Sequence, residues 1–430
     1  MKSFRRTQVK TIVQRLAEKP NKLIAVFGPR QTGKTTVVLQ SLRQIDLEHR
    51  YLAVDSPDPS GLSYLDVDSS ASSEIPIPSN VSGSTVPFRE VKDTDWLVRN
   101  WREGRREANR FGRGFVLVFD EIQKIPNWSE TVKGLWDADR RSNCPLHVAI
   151  LGSAPLLMQS GLRESLAGRF ELIRVTHWSF GEMSEAFGFD LDHYLYFGGY
   201  PGAVPFVRDP ERWRDYVLNA LVEPSIDRDL LAMTRVHKPA LLKQLFELGR
   251  IYSGQILSYT KMLGQHQDAG NTTTLARYLD LLSSTGLLTG LPKYSNRPLR
   301  VKASSPKLNV LNTALLTAGS EYSFDEARAD RTFRGRLVES AVGAHLFNTA
   351  TANIRLHYWR DGPFEVDFVL QLGRRIIPVE VKSSLKRGPL GGMAEFQRQF
   401  APGRSLLVGE GGIPLEEFLT VSAHRWFEET

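Results

Sequence analysis

Two stretches of this chain set residues at spacings suited to phosphate chemistry. The first, GPRQTGKTT, places Gly28, Gly33, Lys34 and Thr35 in the order G-x-x-x-x-G-K-T. Glycines let backbone N–H groups close round an anion, a lysine adds positive charge, and a threonine hydroxyl can ligate Mg²⁺. The run Gly28, Pro29, Arg30, Gln31, Thr32, Gly33, Lys34, Thr35 and Thr36 therefore reads as a cradle for the phosphates of ATP with Mg²⁺. The second stretch, EVDFVLQLGRRIIPVEVK, carries Asp367 on one strand-like run and Glu380 and Lys382 on the next, with Gly373 at the turn. Side chains alternate along a strand, so Glu380 and Lys382 share a face that Asp367 can join from its neighbour. Upstream, GRLVESAVGAHLF reads as a helix able to bring Glu339 there. Three acids, Glu339, Asp367 and Glu380, can bind a second Mg²⁺ or Mn²⁺ over a phosphodiester, with Lys382 aligning water or steadying the transition state.

Both constellations need scaffolding. KLIAVFG is a buried strand leading into the loop, and KTTVVLQSLRQI is a helix whose positive N-terminal end faces the same anions. GFVLVFDEIQ ends a second strand in two acids. Asp120 would orient Mg²⁺ or its water, and Glu121 would position the attacking water; the alternative is an acidic pair starting a helix. HVAILGSAP puts Ser153 at a strand end, either facing the γ-phosphate or as a turn serine. Arg169, in SLAGRFE, is either a surface residue or a cation for the transition state, where such an arginine is worth roughly 10³–10⁵ in rate. Alternating strand and helix predicts a parallel sheet covered on both faces. Ser56–Glu90 interrupts it, rich in Ser, Pro and Gly, and reads as a mobile insertion.

Beyond about Phe180 the pattern is mainly helical. LLKQLFELGRIYSG, SYTKMLGQ and NTTTLARYLDLLSSTGLL read as three helices, and LTGLPKYSNRPLRVKASSPKLNVLN as a β-wing. Lys293, Arg297, Arg300, Lys302 and Lys307 cluster at the wing with Tyr294, and Arg277 lies on the third helix with Thr273 and Thr274. Such cations can neutralise DNA phosphates. The same module can instead pack on its own ATPase or a neighbouring subunit. Ser320 to Arg331 reads as a polar linker.

At 430 residues the chain is long enough for roughly two to four domains. A net charge of +7 is compatible with nucleic acid without requiring it. Cys144 is the only cysteine, which excludes an intrachain disulfide and fits a cytoplasmic protein. No apolar run reaches the roughly 18 residues of a membrane span, and the basic N-terminus reads as an amphipathic helix rather than a signal peptide. The histidines, His345 and His357 included, are scattered and read as structural, and Trp96 and Trp101 as packing a charged helix.

The order of GPRQTGKTT, VFDEIQ, LGSAP and SLAGRFE resembles the AAA+ ATPases, and more narrowly a prokaryotic group whose C-terminal half has no assigned function. The resemblance implies a P-loop AAA+ α/β core over 1–185, with 56–90 inserted, and a helical lid over 186–238. It implies that Arg169 is an arginine finger acting across a subunit boundary, in a homo-oligomer that is commonly a hexamer. YFGGYPGAV, with Gly199 and Pro201, resembles a lid element that contacts nucleotide. Residues 239–316 resemble a winged helix. Residues 317–430 resemble the PD-(D/E)XK, restriction-endonuclease-like fold, with Glu339, Asp367, Glu380 and Lys382 as its acids and lysine. Together these resemblances imply a DNA-remodelling ATPase that can also cut DNA, or an ATP-gated scaffold whose nuclease-like domain docks a protein partner.

Overall fold

The computed structural model describes residues 4–55, 91–152, 165–231, 236–264, 271–296, 304–382 and 391–428. The Ser56–Glu90 insertion, Ser153, Arg297, Arg300 and Lys302 lie outside the described residues.

Five short apolar runs form the first sheet: β1 (Leu23–Phe27), β2 (His49–Ala53), β3 (Phe115–Asp120), β4 (Leu146–Gly152) and β5 (Phe170–Arg174). Their order is β2-β3-β4-β1-β5, and every pairing is parallel. Alternation along each strand sorts the side chains between two cores. Leu23, Ala25, Phe27, Leu117 and Phe119 join Trp101 and Trp136 on one side. Ile24, Val26, Val116 and Val118 meet Ile12, Val37 and Val38 on the other. The helices Thr94–Phe111 and Trp128–Ser142 thus cover one face, and Thr7–Ala17 and Lys34–Leu42 cover the opposite one, as the sequence pattern requires. Trp96 and Trp101 are both buried, and the Trp101 indole donates to Asp139 at 2.7 Å. Parallel strands end at a common edge, so the loop after β1 and the acids after β3 meet there.

A helical segment follows. It includes Phe180–Phe187, Leu191–Phe197 and the 3₁₀ turns Pro201–Phe206. The helix Pro210–Asp215 then widens into two π-helical stretches, Tyr216–Val222 and Ser225–Leu231. The helices Pro239–Ile251, Tyr259–Gly264 and Thr272–Ser284 precede β6 (Leu288–Leu291) and β7 (Lys307–Val310), which pair antiparallel. A second, mixed sheet closes the chain: β8 (Ile354–Asp361), β9 (Phe364–Leu372), β10 (Arg375–Lys382) and β11 (Leu406–Gly409), ordered β11-β10-β9-β8. Gly373, at φ +60°, makes the β9–β10 turn. Among the described residues, no helix is long and apolar enough to cross a membrane.

Two expectations change. The polar stretch around Ser320–Arg331 is no linker: Ser323 and Glu326 form a reciprocal capping box that starts the helix Phe324–Ala329. Asp330 then caps the long helix Arg331–Thr349. Tyr294 is not a wing residue awaiting nucleic acid; it is buried among His357, Phe396 and Phe400. One continuous apolar cluster runs from Phe180 through Leu279, Val310 and Val379 to Phe427.

Candidate functional site

Gly28 opens the phosphate loop where no side chain fits, since a Cβ there would lie 1.7 Å from the Val175 carbonyl oxygen. Gln31 and Gly33 take left-handed backbone angles, φ 59° and 86°, which turn the chain into the helix Lys34–Leu42. Lys34 is buried, and its ammonium donates to the carbonyls of Gly28 (3.0 Å) and Pro29 (2.7 Å). Burial pushes that ammonium down to about 8, against the pull of Glu121 and Asp120. The Thr35 hydroxyl donates to Asp120 Oδ2 at 3.0 Å, so the two expected Mg²⁺ residues stand together.

Asp120 is held from three directions. Besides Thr35, the Glu121 backbone N–H donates to Oδ1 at 2.9 Å and the Tyr51 hydroxyl donates to Oδ2. Burial and the Asp120 charge push the Tyr51 phenol well above its ordinary range, so it stays a donor. Glu121 sits in the left-handed region at φ 55°, and Gln123 donates to its Oε2 at 2.5 Å. Such strain in a non-glycine residue clusters at functional sites.

Contacts invisible in the motif brace the loop. The buried Arg6 donates to the carbonyls of Thr32 (3.0 Å) and Thr176 (2.9 Å) and pairs with both carboxylate oxygens of Glu182. The Trp178 indole donates to the same Thr32 carbonyl at 3.1 Å. Arg30 forms a two-point pair with Asp229 (2.7 and 2.6 Å) on the second π-helical stretch. A Cβ on Gly202 would approach Gln31 Oε1 to 2.9 Å, and one on Gly286 would approach Pro29 Cγ to 2.3 Å. The segments beyond β5 therefore touch the loop at Arg30, Gln31 and Pro29. Within YFGGYPGAV it is Gly202 that reaches the loop. Gly199 instead receives Trp178 N–H and donates to Asn312, and Pro201 begins a 3₁₀ turn.

Arg169 lies at the other end of the sheet: its carbonyl receives the N–H of Leu23, the first residue of β1. Its guanidinium grips Asp137 at 2.7 and 2.9 Å. It does not reach the phosphate loop of its own chain. Arg277 is exposed on its helix and Lys293 is half-buried.

The acids of the closing hairpin come together, with an unexpected centre. Lys307, grouped by sequence with the wing cations, has 0% exposure. Its Nζ lies 2.5 Å from Glu339, 3.4 Å from Asp367 and 3.7 Å from Glu365. Asp367 Oδ2 accepts the Val381 N–H at 2.8 Å, and Glu380 pairs with Lys382 at 3.1 Å. Among the described residues, no three His, Cys, Asp or Glu are placed to hold a metal. The chain's own ammonium thus stands against Glu339 and Asp367, two of the three acids expected to hold a second metal ion. At the phosphate loop, by contrast, the tight glycine, the helix start and the Thr35–Asp120 pair fit a nucleotide and its Mg²⁺.

Residues 20–184 match the family described as AAA domain. Residues 188–325 and 334–422 match two domains of unknown function, DUF8612 and DUF4143. No curated protein matches the chain. Among solved structures, a RuvB variant from Thermotoga maritima aligns over 66% of this chain and 86% of its own, at 15% identity and a TM-score of 0.29. The phosphate loop, the Thr35–Asp120 contact and the five-stranded parallel sheet all fall inside the segment, residues 20–184, that matches the AAA domain family.

Proposed function

We propose that this chain hydrolyses ATP with Mg²⁺ as a homo-oligomer, a hexamer in the simplest form, and uses turnover to move or remodel DNA. The Thr35–Asp120 contact carries the reading, since it joins the hydroxyl and carboxylate that an Mg²⁺–nucleotide needs at the mouth of the loop. Mg²⁺, when bound through Thr35 and Asp120, would supply charge that polarises the γ-phosphate. Lys34 and the loop N–H groups would bind the phosphates, and Tyr51 would keep Asp120 oriented. Glu121, held by Gln123, would align the attacking water and draw off its proton. Arg169 would serve a neighbour's nucleotide, consistent with its distance from its own loop.

The residues from Pro239 to Val310 would form a winged helix that contacts DNA phosphates through Arg277, Lys293, Arg297, Arg300 and Lys302. The helix bearing Glu339 and the sheet β8–β11 would be a PD-(D/E)XK-like unit. The experiment is steady-state phosphate release by wild type, Lys34→Ala and Glu121→Gln, with and without linear, nicked and branched DNA. Turnover that DNA stimulates and both variants lose is the expected result. Turnover indifferent to every DNA overturns the remodelling half.

A second reading is an ATP-gated switch that docks a protein partner. It is favoured by the contacts of Asp229, Gly202 and Gly286 with the loop, which link nucleotide to a half of the chain sharing one core.

A further inference from the structure

We infer that Lys307 is a built-in replacement for a divalent cation beside Glu339, Glu365 and Asp367, so that these acids take no metal and support no metal-dependent cleavage.

The geometry is that of a coordination site with an ammonium at its centre. Nζ has three protons, and its nearest oxygens are Glu339 Oε1 at 2.5 Å, the Asp367 carbonyl at 3.2 Å and Asp367 Oδ1 at 3.4 Å. Glu365 stands at 3.7 Å, and the Phe368 ring centroid at 4.9 Å closes another side. These groups come from a long helix and from β9, while the lysine arrives from β7 in the preceding matched segment. A lysine with no solvent exposure must be paired, because an isolated ammonium in such a place would lose its charge.

The remaining charges are also answered from within. Glu380 pairs with Lys382, and Arg360 approaches the outer oxygen of Glu365 at 4.0 Å. Glu339 also faces Arg336, so the acids meet further cations of the chain itself. Glu380 Oε2 is buried without a hydrogen-bond partner. A divalent ion bound by Glu339 and Asp367 would compete for oxygens that already lie 2.5 and 3.4 Å from the ammonium, and like charges so close in a buried site repel strongly.

Deleting the lysine's charge should therefore produce a gain of function. Full-length wild type, Asp367→Asn, Lys307→Met and Lys307→Met/Asp367→Asn are titrated with Mn²⁺ in the absence of nucleotide, reading bound metal by electron paramagnetic resonance and thermal midpoint in parallel. Wild type should show no site that Asp367→Asn removes. Lys307→Met should acquire one Mn²⁺ per chain, with a rise in midpoint that the second substitution cancels. Should Lys307→Met not fold, Lys307→Met/Glu339→Gln, with one repelling charge fewer, is titrated the same way and should bind Mn²⁺ through Glu365, Asp367 and Glu380. A wild-type site lost in Asp367→Asn overturns the assignment. So does a folded lysine-free variant that gains none. Neither result bears on ATP turnover, which depends on a separate pocket.

Discussion

Arg30, inside the phosphate loop, and Asp229, on a π-helical turn, lock together through hydrogen bonds of 2.7 and 2.6 Å across 199 positions of sequence. Wide helical turns are rare and recur at functional sites. Here the wider winding brings a carboxylate with 2% exposure onto the loop that would hold the phosphates.

The two halves of this pair should not respond alike. Arg30→Met strands a buried charge and should cost about 3 kcal/mol in urea unfolding. Asp229→Asn removes that charge and leaves an arginine that is 29% exposed, so its cost should be clearly smaller. Equal losses would show that the pair does not act as a buried ion pair.

The two loop glycines should also separate. Gly28→Ala drives a methyl to 1.7 Å from a backbone oxygen, with no flexible side chain to yield. ATP binding by fluorescent analogue should vanish or the protein should not fold. Gly33→Ala meets nothing within 4 Å and bears only the strain of φ +86°, about 1–2 kcal/mol. It should fold and bind more weakly.

Glu121→Gln should keep ATP affinity within a few-fold and lose turnover by about 10² or more, as expected for a group that handles the water rather than the phosphates. Arg169→Ala should be similarly inactive alone. If Arg169 serves a neighbour, mixing the two inactive variants in one oligomer should restore measurable phosphate release. Mixtures as inactive as their parts would place Arg169 outside the reaction.

Acid should loosen the junction between loop and middle segment. His177 Nε2 donates to the Gly286 carbonyl at 2.8 Å, and Nδ1 accepts from Asn312 at 3.3 Å, so the ring is neutral and doubly engaged. Burial pushes it down to about 4, with Arg6 and Lys34 adding repulsion against the Gly286 bond. An unfolded histidine titrates near about 6.5. The unfolded chain therefore takes up the proton first. Stability is complete above that value and falls by about 1.4 kcal/mol per pH unit as pH drops toward 4. His147, also pushed down to about 4 by burial, adds to the slope. Urea midpoints across this range should fall more gently in His177→Gln than in wild type.

What the sequence reveals about this protein is what is local. Gly28 to Thr35 lie within one turn of chain, and Asp120 closes a run of apolar residues, so motif and pattern suffice to find them. The alternation in β1 and β3 likewise announces a sheet buried on both faces. Arg6, Tyr51 and Asp229 reach the site only through folding, from distances at which spacing carries no signal. Lys307 is the sharper case. A lysine beside Arg300 and Lys302 reads as a solvated cation, and only the acids arriving from Glu339, Glu365 and Asp367 turn it inward. The capping box at Ser323 and Glu326 is legible as S-x-x-E, but its helix is a short one embedded in polar sequence.

The unbroken apolar cluster from Phe180 to Phe427 has an evolutionary reading. Pieces that own their interiors can be traded between genes like cassettes; these cannot. A chimera spliced between the two segments of unknown function would tear Lys307 from its carboxylates and strip one wall from the common interior. Either segment alone should therefore fail to fold, whatever sequence is grafted in place of the other.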